Sequence, residues 1–215
     1  MNAETIPVDQ RPDAIRVDLR LIADMVEPGC RMLDVGCGEG ALLAYLSRYK
    51  QVDGRGLELS MAGVNECVRN GLAVIQGDAD TDLKDYPTGA FDWVVLSQTL
   101  QATRRPRDVL EQLLRISRRA VVSFPNFAYW RSRLQLGFGG CMPVTGTLPF
   151  SWHDTPNIHH CTINDFVATC REMNILIDKA IPLNGDGRPI RIPATGMLAS
   201  LLAEQGLFVL RKDGN

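Results

Sequence analysis

The chain has 215 residues, of which 45% are hydrophobic and 22% charged, with a formal net charge of −2. This length fits one domain with a sizeable core, and the composition excludes a disordered chain. The small net charge argues against a nucleic-acid binder driven by positive charge. No apolar run approaches the about 18 residues of a membrane span, and the first residues lack the apolar stretch of a secretory signal. We therefore expect neither nucleic acid nor membrane as a partner.

Six cysteines are spread along the chain without a pair at the two-residue spacing of metal or redox motifs: Cys30, Cys37, Cys67, Cys141, Cys161 and Cys170. A chain of this length does not need a disulfide framework, so reduced and partly buried thiols are expected. This cysteine usage predicts a cytoplasmic location.

A single domain over residues 1–215 is predicted, which begins with a loose polar arm over residues 1–12. Apolar spacing predicts a first helix over Asp13–Val26. The predicted elements that follow are strand Arg31–Val35, helix Ala41–Tyr49, strand Gly54–Leu59, helix Ala62–Asn70, strand Ala73–Gln76, a helical turn at Leu83, strand Phe91–Leu96, helix Pro106–Ser117 and strand Arg119–Phe124. Strands alternating with helices predict a doubly wound α/β fold with a parallel sheet.

Residues 125–160 interrupt this alternation. The segment is rich in glycine, proline and aromatic residues, and it is too long and too apolar for a plain connector. We interpret it as an inserted lid or partner-docking segment after the fifth strand. The elements predicted beyond it are a helix capped by Thr162 with Asp165 at capping-box spacing, strand Ile175–Ile181, loop 184–193, helix Met197–Glu204 and strand Leu207–Arg211.

The run Asp34–Gly40 carries the strongest ligand signal. A strand enters it, glycines permit a tight turn and close approach of a ligand, and a helix leaves. The same run fits a loose dinucleotide fingerprint, but a pyrophosphate needs a positive helix end, and here Asp34 and Glu39 would face an anion. A cationic ligand suits these carboxylates better. S-adenosylmethionine carries an ammonium and a sulfonium and no phosphate.

Two further acids end the next two strands. Glu58 closes the second strand, where a carboxylate can accept both ribose hydroxyls, and Asp78 follows the third strand, where it can accept from an adenine amine. A carboxylate at a strand end is often only a helix cap or a solvated turn. Three acids at the ends of three successive strands, with the glycine loop after the first, favour a nucleoside site.

These residues resemble class I S-adenosylmethionine-dependent methyltransferases. The runs Leu33–Gly38, Leu96–Gln101, Ser123–Phe127 and Asp154–His159 resemble, more specifically, the methionine-biosynthesis MetW family. The resemblance covers about residues 14 to 180. It implies a Rossmann-like, seven-stranded, mostly parallel methyltransferase sheet and a role in methionine synthesis beside a homoserine O-acyltransferase, which the family is thought to assist.

The resemblance also implies which residues hold S-adenosylmethionine or S-adenosylhomocysteine. Asp34, Gly36 and Gly38 would cradle the methionyl moiety, and Glu58 would bind the ribose. Asp78 and Ala79 would bind the adenine, while Ser97 and Gln98 would line the reactive side. The full predicted set is Asp34, Gly36, Cys37, Gly38, Glu58, Leu59, Gly77, Asp78, Ala79, Ser97 and Gln98. No catalytic residue is assigned, because methyl transfer mainly needs alignment of the reacting groups.

Two hypotheses about activity stay open. The first is a methyltransferase whose small-molecule acceptor lies under segment 125–160. The second is a regulatory subunit that binds the cofactor or its demethylated product and grips an acyltransferase, so that occupancy reports methionine status. The same segment concentrates the residues His153, Asp154, His159, His160 and Cys161. Their spacing matches no familiar ligand pattern, so no metal is predicted and the role of the histidines stays open.

Eight arginines lie between residues 104 and 133, where acids are few: Arg104, Arg105, Arg107, Arg115, Arg118, Arg119, Arg131 and Arg133. A solvated helix face with loop ends is the ordinary explanation of such a run. The alternative is a docking face for an anionic ligand or an acidic partner.

Overall fold

Apolar strands and amphipathic helices alternate along the computed structural model, which describes residues 15–212. The predicted arm over residues 1–12 lies outside the described residues. The helices are α1 (Val17–Met25), α2 (Ala41–Lys50), α3 (Met61–Arg69), α4 (Pro106–Ile116), α5 (Trp130–Gly139), α6 (Ile163–Glu172) and α7 (Met197–Leu202). The strands are β1 (Arg31–Val35), β2 (Asp53–Glu58), β3 (Ala73–Gln76), β4 (Phe91–Ser97), β5 (Ser117–Pro125), β6 (Ile175–Leu183) and β7 (Gln205–Lys212).

The strands form one seven-stranded sheet in the order β3-β2-β1-β4-β5-β7-β6. Strands β1 to β5 are mutually parallel, whereas β7 is antiparallel to both β5 and β6. Strand order reverses between β1 and β4, which is the point where open α/β sheets bind ligands. The predicted α/β, doubly wound, mostly parallel seven-stranded sheet is confirmed.

Helices bury both faces of the sheet. On one face α1 and α2 pack with residues such as Ile22 and Leu43, which are fully buried against the central strands. On the other face α4 and α6 pack around Phe124, whose ring lies 4.8 Å from that of Phe166 and 5.6 Å from that of Phe208. A sheet covered on both faces holds its strand ends rigidly, so residues that follow the strands are well positioned for binding.

The segment after β5 contains a helix, α5, that the sequence pattern did not predict. Ser132 is its buried residue, whereas Phe138 is 89% exposed. The start of the segment is fixed by Asn126, whose amide nitrogen donates to the carbonyls of Ser200 (2.8 Å) and Ala203 (2.7 Å). The segment is therefore anchored at its root and carries a largely exposed helix beyond it.

The predicted element ends agree with the structure to within a few residues. Strand β3 has the predicted bounds, and the predicted cap of α6 is confirmed, since Thr162 Oγ1 accepts from the Asp165 backbone nitrogen at 3.1 Å. Helix α7 ends at Leu202, two residues before the predicted end. Ala203 is extended there, and its carbonyl binds Asn126 rather than continuing the helix.

Candidate functional site

The loop after β1 is built from three glycines in the left-handed region, with φ of 71° at Gly36, 56° at Gly38 and 80° at Gly40. A Cβ at Gly36 would lie 2.5 Å from Thr99 Oγ1, and one at Gly40 would lie 2.5 Å from Leu72 Cδ1. A Cβ at Gly38 would meet nothing within 4 Å. The loop is thus packed at its two ends and open in its middle, where a ligand can approach the backbone.

Asp34 lies at the root of this loop and is 4% exposed. Burial raises the pKa of its carboxyl from 3.8 to about 7, the Glu58 carboxylate adds to the rise, and the Arg16 guanidinium opposes it. Near neutral pH the carboxyl is therefore only partly ionised. A cationic group bound beside it would favour the charged form, so this position fits the ammonium of a ligand and opposes a phosphate.

Glu58 ends β2 and clamps the glycine loop from the side. Its Oε2 accepts from the Gly38 backbone nitrogen at 2.8 Å, and its Oε1 accepts from that of Ser60 at 2.8 Å. Each carboxylate oxygen has a further lone pair, so both oxygens can still accept from vicinal hydroxyls. Leu59, next in the chain, is 65% exposed at the same edge.

The loop after β3 is ordered by its own carboxylates. Asp78 Oδ1 accepts from the Asp80 backbone nitrogen at 2.9 Å, and the Asp78 nitrogen donates to Asp82 Oδ2 at 2.9 Å. A Cβ at Gly77 would lie 2.7 Å from that same Asp82 oxygen. Ala79 packs against the core. Asp78 is therefore presented on a fixed turn at the same edge of the sheet as Asp34 and Glu58.

The residues at the end of β4 bond to β5, α1 and β7. Ser97 Oγ lies 3.1 Å from Ser123 Oγ, and Gln98 adopts a left-handed conformation with φ of 54°. The Gln98 side-chain nitrogen donates to Gln205 Oε1 at 3.0 Å and to Asp18 Oδ2 at 3.5 Å. Gln98 thus connects β4 to α1 and β7, a contact that its position after a strand did not predict.

Arg16, just before α1, is a charged residue near the site that the sequence analysis missed. Its guanidinium donates to both Asp18 carboxylate oxygens, at 3.1 and 2.7 Å, and it lies close enough to Asp34 to lower the pKa of that carboxyl. No local motif marks this arginine, because the fold alone brings it beside β1. The Arg16 side chain is paired with Asp18 and is still 55% exposed at this edge of the sheet, near Asp34.

A cleft of about 520 Å³ opens beside this pair at the same edge of the sheet. Its lining residues include Asp18, Gln98, Asn157, Asp186, Gln205 and Phe150. They come from α1, from the ends of β4 and β6, from the start of β7 and from segment 125–160. This volume lies within the range of small-molecule sites.

Two thiols flank the open part of the glycine loop. Cys67 on α3 donates to the Gly38 carbonyl at 3.3 Å. Burial, together with Asp34 and Cys67, raises the pKa of the Cys37 thiol far above its ordinary value. Both side chains therefore act here as neutral packing groups, and Cys37 occupies the space that a Cβ at Gly56 would need.

The histidines of segment 125–160 do not converge. His153 lies 3.2 Å from Asp154, His159 lies 3.3 Å from the Arg104 carbonyl, and His160 stacks on Phe127 at 4.2 Å. Within residues 15–212, no three His, Cys, Asp or Glu side chains are arranged to hold a metal ion. None of the helices in this described part is long and apolar enough to cross a membrane.

The arginine run is largely engaged by neighbouring groups. Arg107 pairs with Glu172 at 2.7 Å, Arg119 pairs with Glu27 at 3.2 Å, and Arg115 donates to the Leu83 and Tyr86 carbonyls. These contacts favour the ordinary explanation, a surface whose charges are paired with the protein's own groups.

The strand order, with β7 antiparallel beside β5, defines the methyltransferase fold. A chain from the complex of the Haloferax volcanii Trm112 methyltransferase activator with a proposed methyltransferase superposes with a TM-score of 0.65 and 16% identity, over 91% of this chain and 88% of that one. A TehB-like SAM-dependent methyltransferase of Corynebacterium glutamicum gives 0.58 and 20% identity, over 93% and 89%. At these identities the likeness shows the fold.

The chain belongs to the MetW family. The family model described as "Methionine biosynthesis protein MetW" matches residues 16–210. The bifunctional methionine biosynthesis protein MetXA/MetW of Rhodopirellula baltica is 32% identical over 189 residues, which cover 84% of this chain. The matched region is only 30% of the length of that relative. The resemblance seen in the sequence is thereby confirmed at the level of the family.

Proposed function

We propose that this protein binds S-adenosylmethionine or S-adenosylhomocysteine and assists a homoserine O-acyltransferase in methionine biosynthesis. The observation that carries the proposal is the Rhodopirellula relative, whose name joins MetXA and MetW in one polypeptide. Two activities in one chain favour proteins that work side by side. The six free cysteines support a cytoplasmic site for this work.

The proposed cofactor site uses the acids and glycines at the carboxyl edge of β1, β2 and β3. Asp34 would bind the methionyl ammonium and Arg16 its carboxylate, Glu58 would bind the ribose, and Asp78 the adenine amine. The proposed shell is completed by Gly36, Cys37, Gly38, Leu59, Gly77, Ala79, Ser97 and Gln98. Two observations support the fit: a cation would stabilise the ionised form of the buried Asp34 carboxyl, whose pKa is raised to about 7, and the space over Gly38 is open.

Titration calorimetry tests the cofactor site. We expect both ligands to bind the wild-type protein, and Asp34→Asn to weaken binding at least about tenfold, because it removes the charge partner of the ammonium. Asp24→Asn, on the exposed side of α1, is the matched control and should bind normally. If neither ligand binds the wild-type protein, the cofactor part of the proposal is wrong.

The proposed partner surface is α5 together with the loop that follows it. Phe138 is 89% exposed, Trp152 74% and Ile158 55%, and apolar side chains at this density on one segment are typical of protein interfaces. The helix contributes little to the core, so its apolar residues need another explanation. We assign this surface to the acyltransferase.

Acyltransferase assays with and without this protein test the assignment. Wild type should raise the partner's activity, and the double variant Phe138→Ser, Trp152→Ser should lose most of that effect while keeping its fold. Val68→Ser, an exposed apolar change on α3, is the control and should activate normally. Equal activation by the double variant and the wild type would exclude this surface.

The second candidate function is a methyltransferase acting on a small molecule. The observation that favours it is the cleft beside Gln98, because an enzyme needs an acceptor site next to the donor and a sensor does not. When bound, S-adenosylmethionine supplies an activated methyl group, and the chain's own contribution would be to hold the acceptor in line. Formation of S-adenosylhomocysteine in the presence of cell metabolites, measured over time, distinguishes the two functions.

A further inference from the structure

The cleft has a built polar floor rather than a chance arrangement of surface groups. Asp18 is 3% exposed and Gln205 is 4% exposed, and Gln98 bridges them with its side-chain nitrogen. The bridge is fixed from the backbone side as well, because the Gln98 nitrogen donates to the Ser123 carbonyl at 2.8 Å. A left-handed glutamine held at both ends is a strained and specific arrangement of the kind found at binding sites.

The orientation of the Gln98 amide follows from its neighbours. Its NH₂ group must face Asp18, because a carboxylate there accepts and does not donate. The amide oxygen, Oε1, consequently points the other way, and no residue from 15 to 212 donates a hydrogen bond to it. Gln98 is only half-buried, so this acceptor is accessible from the cleft.

The charges around the cleft favour a cation. Arg16 and Asp18 form an ion pair at 2.7 Å and cancel each other. Asp186, on the exposed turn after β6, is the charged lining residue that remains among those of the described chain. Segment 125–160 adds apolar lining residues, Phe150 and Pro156 among them. A ligand therefore meets an acceptor, an acid and apolar side chains.

We infer that this cleft is a second small-molecule site, selective for a small aliphatic amine whose N–H donates to Gln98 Oε1. The site deepens the proposed function, on which it rests in lying beside the proposed cofactor site and sharing Gln98 with it. Arg16 connects the two, since it pairs with Asp18 in the cleft and influences Asp34 in the cofactor site. Occupancy of one site is thus positioned to affect the other.

Ligand-observed NMR on the full chain tests the inference with three probes: n-propylamine, ethanolamine and propionate. The two amines should bind with dissociation constants of the order of millimolar, as befits molecules of so few atoms, and propionate should not. Each titration is run with and without S-adenosylhomocysteine. If S-adenosylhomocysteine does not bind, the titrations without it still test amine binding, so the two proposals can fail separately.

Variants locate the binding. Gln98→Met removes the acceptor at similar volume and should weaken amine binding at least about tenfold. Gln51→Met is the matched control, since Gln51 is also left-handed, with φ of 53°, and lies at the opposite end of the sheet beside the start of β2. If Gln98→Met fails to fold, Asp186→Asn, an exposed change, should still weaken binding of both amines.

Three results would overturn the inference. One is that neither amine binds, another is that propionate binds as well as propylamine, and the third is that Gln98→Met, correctly folded, binds the amines like the wild type. The first would leave the cleft as a solvent-filled gap, and the second would make the Arg16 guanidinium its dominant group. The third would move the amine to another part of the molecule.

Discussion

The glycine loop and segment 125–160 are both rich in glycine and both lie at the carboxyl edge of the sheet, yet they are built differently. Around the loop, the space at both ends is filled by neighbours, since Thr99 lies over Gly36 and Leu72 and Cys67 lie over Gly40, while the space over Gly38 is open. In the segment, an added Cβ at Gly140 would meet nothing within 4 Å. The first region is shaped by contacts within the fold, which suits a preformed ligand site. The second presents apolar side chains that its own fold does not use, which suits contact with another molecule.

The largest contrast is expected between a phenylalanine of the sheet core, on β5, and one of the segment, on α5. Phe124 is fully buried between Phe166 and Phe208, so Phe124→Ala should lower the free energy of unfolding by about 3–5 kcal/mol. Phe138→Ala in α5 should change it by less than about 0.5 kcal/mol. Urea denaturation of both variants measures the difference. A loss of more than about 2 kcal/mol for Phe138→Ala would mean that α5 is packed in solution.

Two glycines allow a closer comparison, because both have positive φ: 80° at Gly40 and 62° at Gly140. Gly40→Ala combines backbone strain with a clash and should cost about 3 kcal/mol of stability. Gly140→Ala carries the strain alone and should cost about 1 kcal/mol. Thermal and urea unfolding give both values. Equal losses would show that packing around the glycine loop is no tighter than in the segment.

The pH dependence of ligand binding tests the proposed role of Asp34 at the glycine loop. With the pKa of Asp34 near 7, the carboxyl is largely protonated at pH 6 and must ionise to meet an ammonium, so affinity for S-adenosylhomocysteine should rise about tenfold from pH 6 to pH 8. Asp34→Asn should remove this dependence. Calorimetry at several pH values follows both proteins, and a flat wild-type profile would contradict the assigned role.

The same raised pKa has the opposite effect on the stability of the ligand-free protein. The native state holds the Asp34 proton more tightly than the unfolded chain, whose carboxyl titrates near 3.8, so stability should fall as the pH rises from about 4 to about 7. Asp34→Asn should be less sensitive to pH in this window. Urea denaturation across the window compares the two proteins.

The smallest expected effect is at the junction where the segment returns to the core. Thr162 caps α6 through the Asp165 backbone nitrogen, so Thr162→Ala should cost about 1 kcal/mol. Thr155→Ala, within the segment, should cost less, since Thr155 Oγ1 accepts one bond from Asn157 in a turn. Circular dichroism melts measure both. A larger loss of stability for Thr155→Ala than for Thr162→Ala would mean that the segment is packed more tightly than its junction with the core.

The fold and the acidic strand ends could be predicted from the sequence because their signals are local. A short strand with three apolar residues, Met32, Leu33 and Val35, is followed by the glycine turn and so locates β1 and its loop. Glu58 ends its strand as expected. The same local pattern places Asp78 on the turn after β3. When functional residues lie just after strands, the alternation of strands and helices in the sequence is enough to locate them.

The missed features depend on tertiary structure or on weak periodicity. The apolar residues of α5 do not lie on one face, and Gly137 lies within the helix. The sequence therefore shows no apolar stripe of helical spacing here. Gln98 meets Gln205, which is 107 residues away in the chain, and no spacing rule predicts such a pair. Arg16 was missed for the same reason, because only the tertiary fold brings it near Asp34.

The position of β7 has a consequence for how the molecule is assembled during synthesis. Strand β6 joins the sheet only through β7, and β5 has an open edge until β7 is inserted beside it. Of the seven strands, β7 leaves the ribosome last, so a nascent chain that already carries the whole glycine loop still exposes unpaired backbone on β5 and β6. Gln205 opens β7 and also forms the floor of the cleft. The sheet and the cleft are therefore completed in the same folding event.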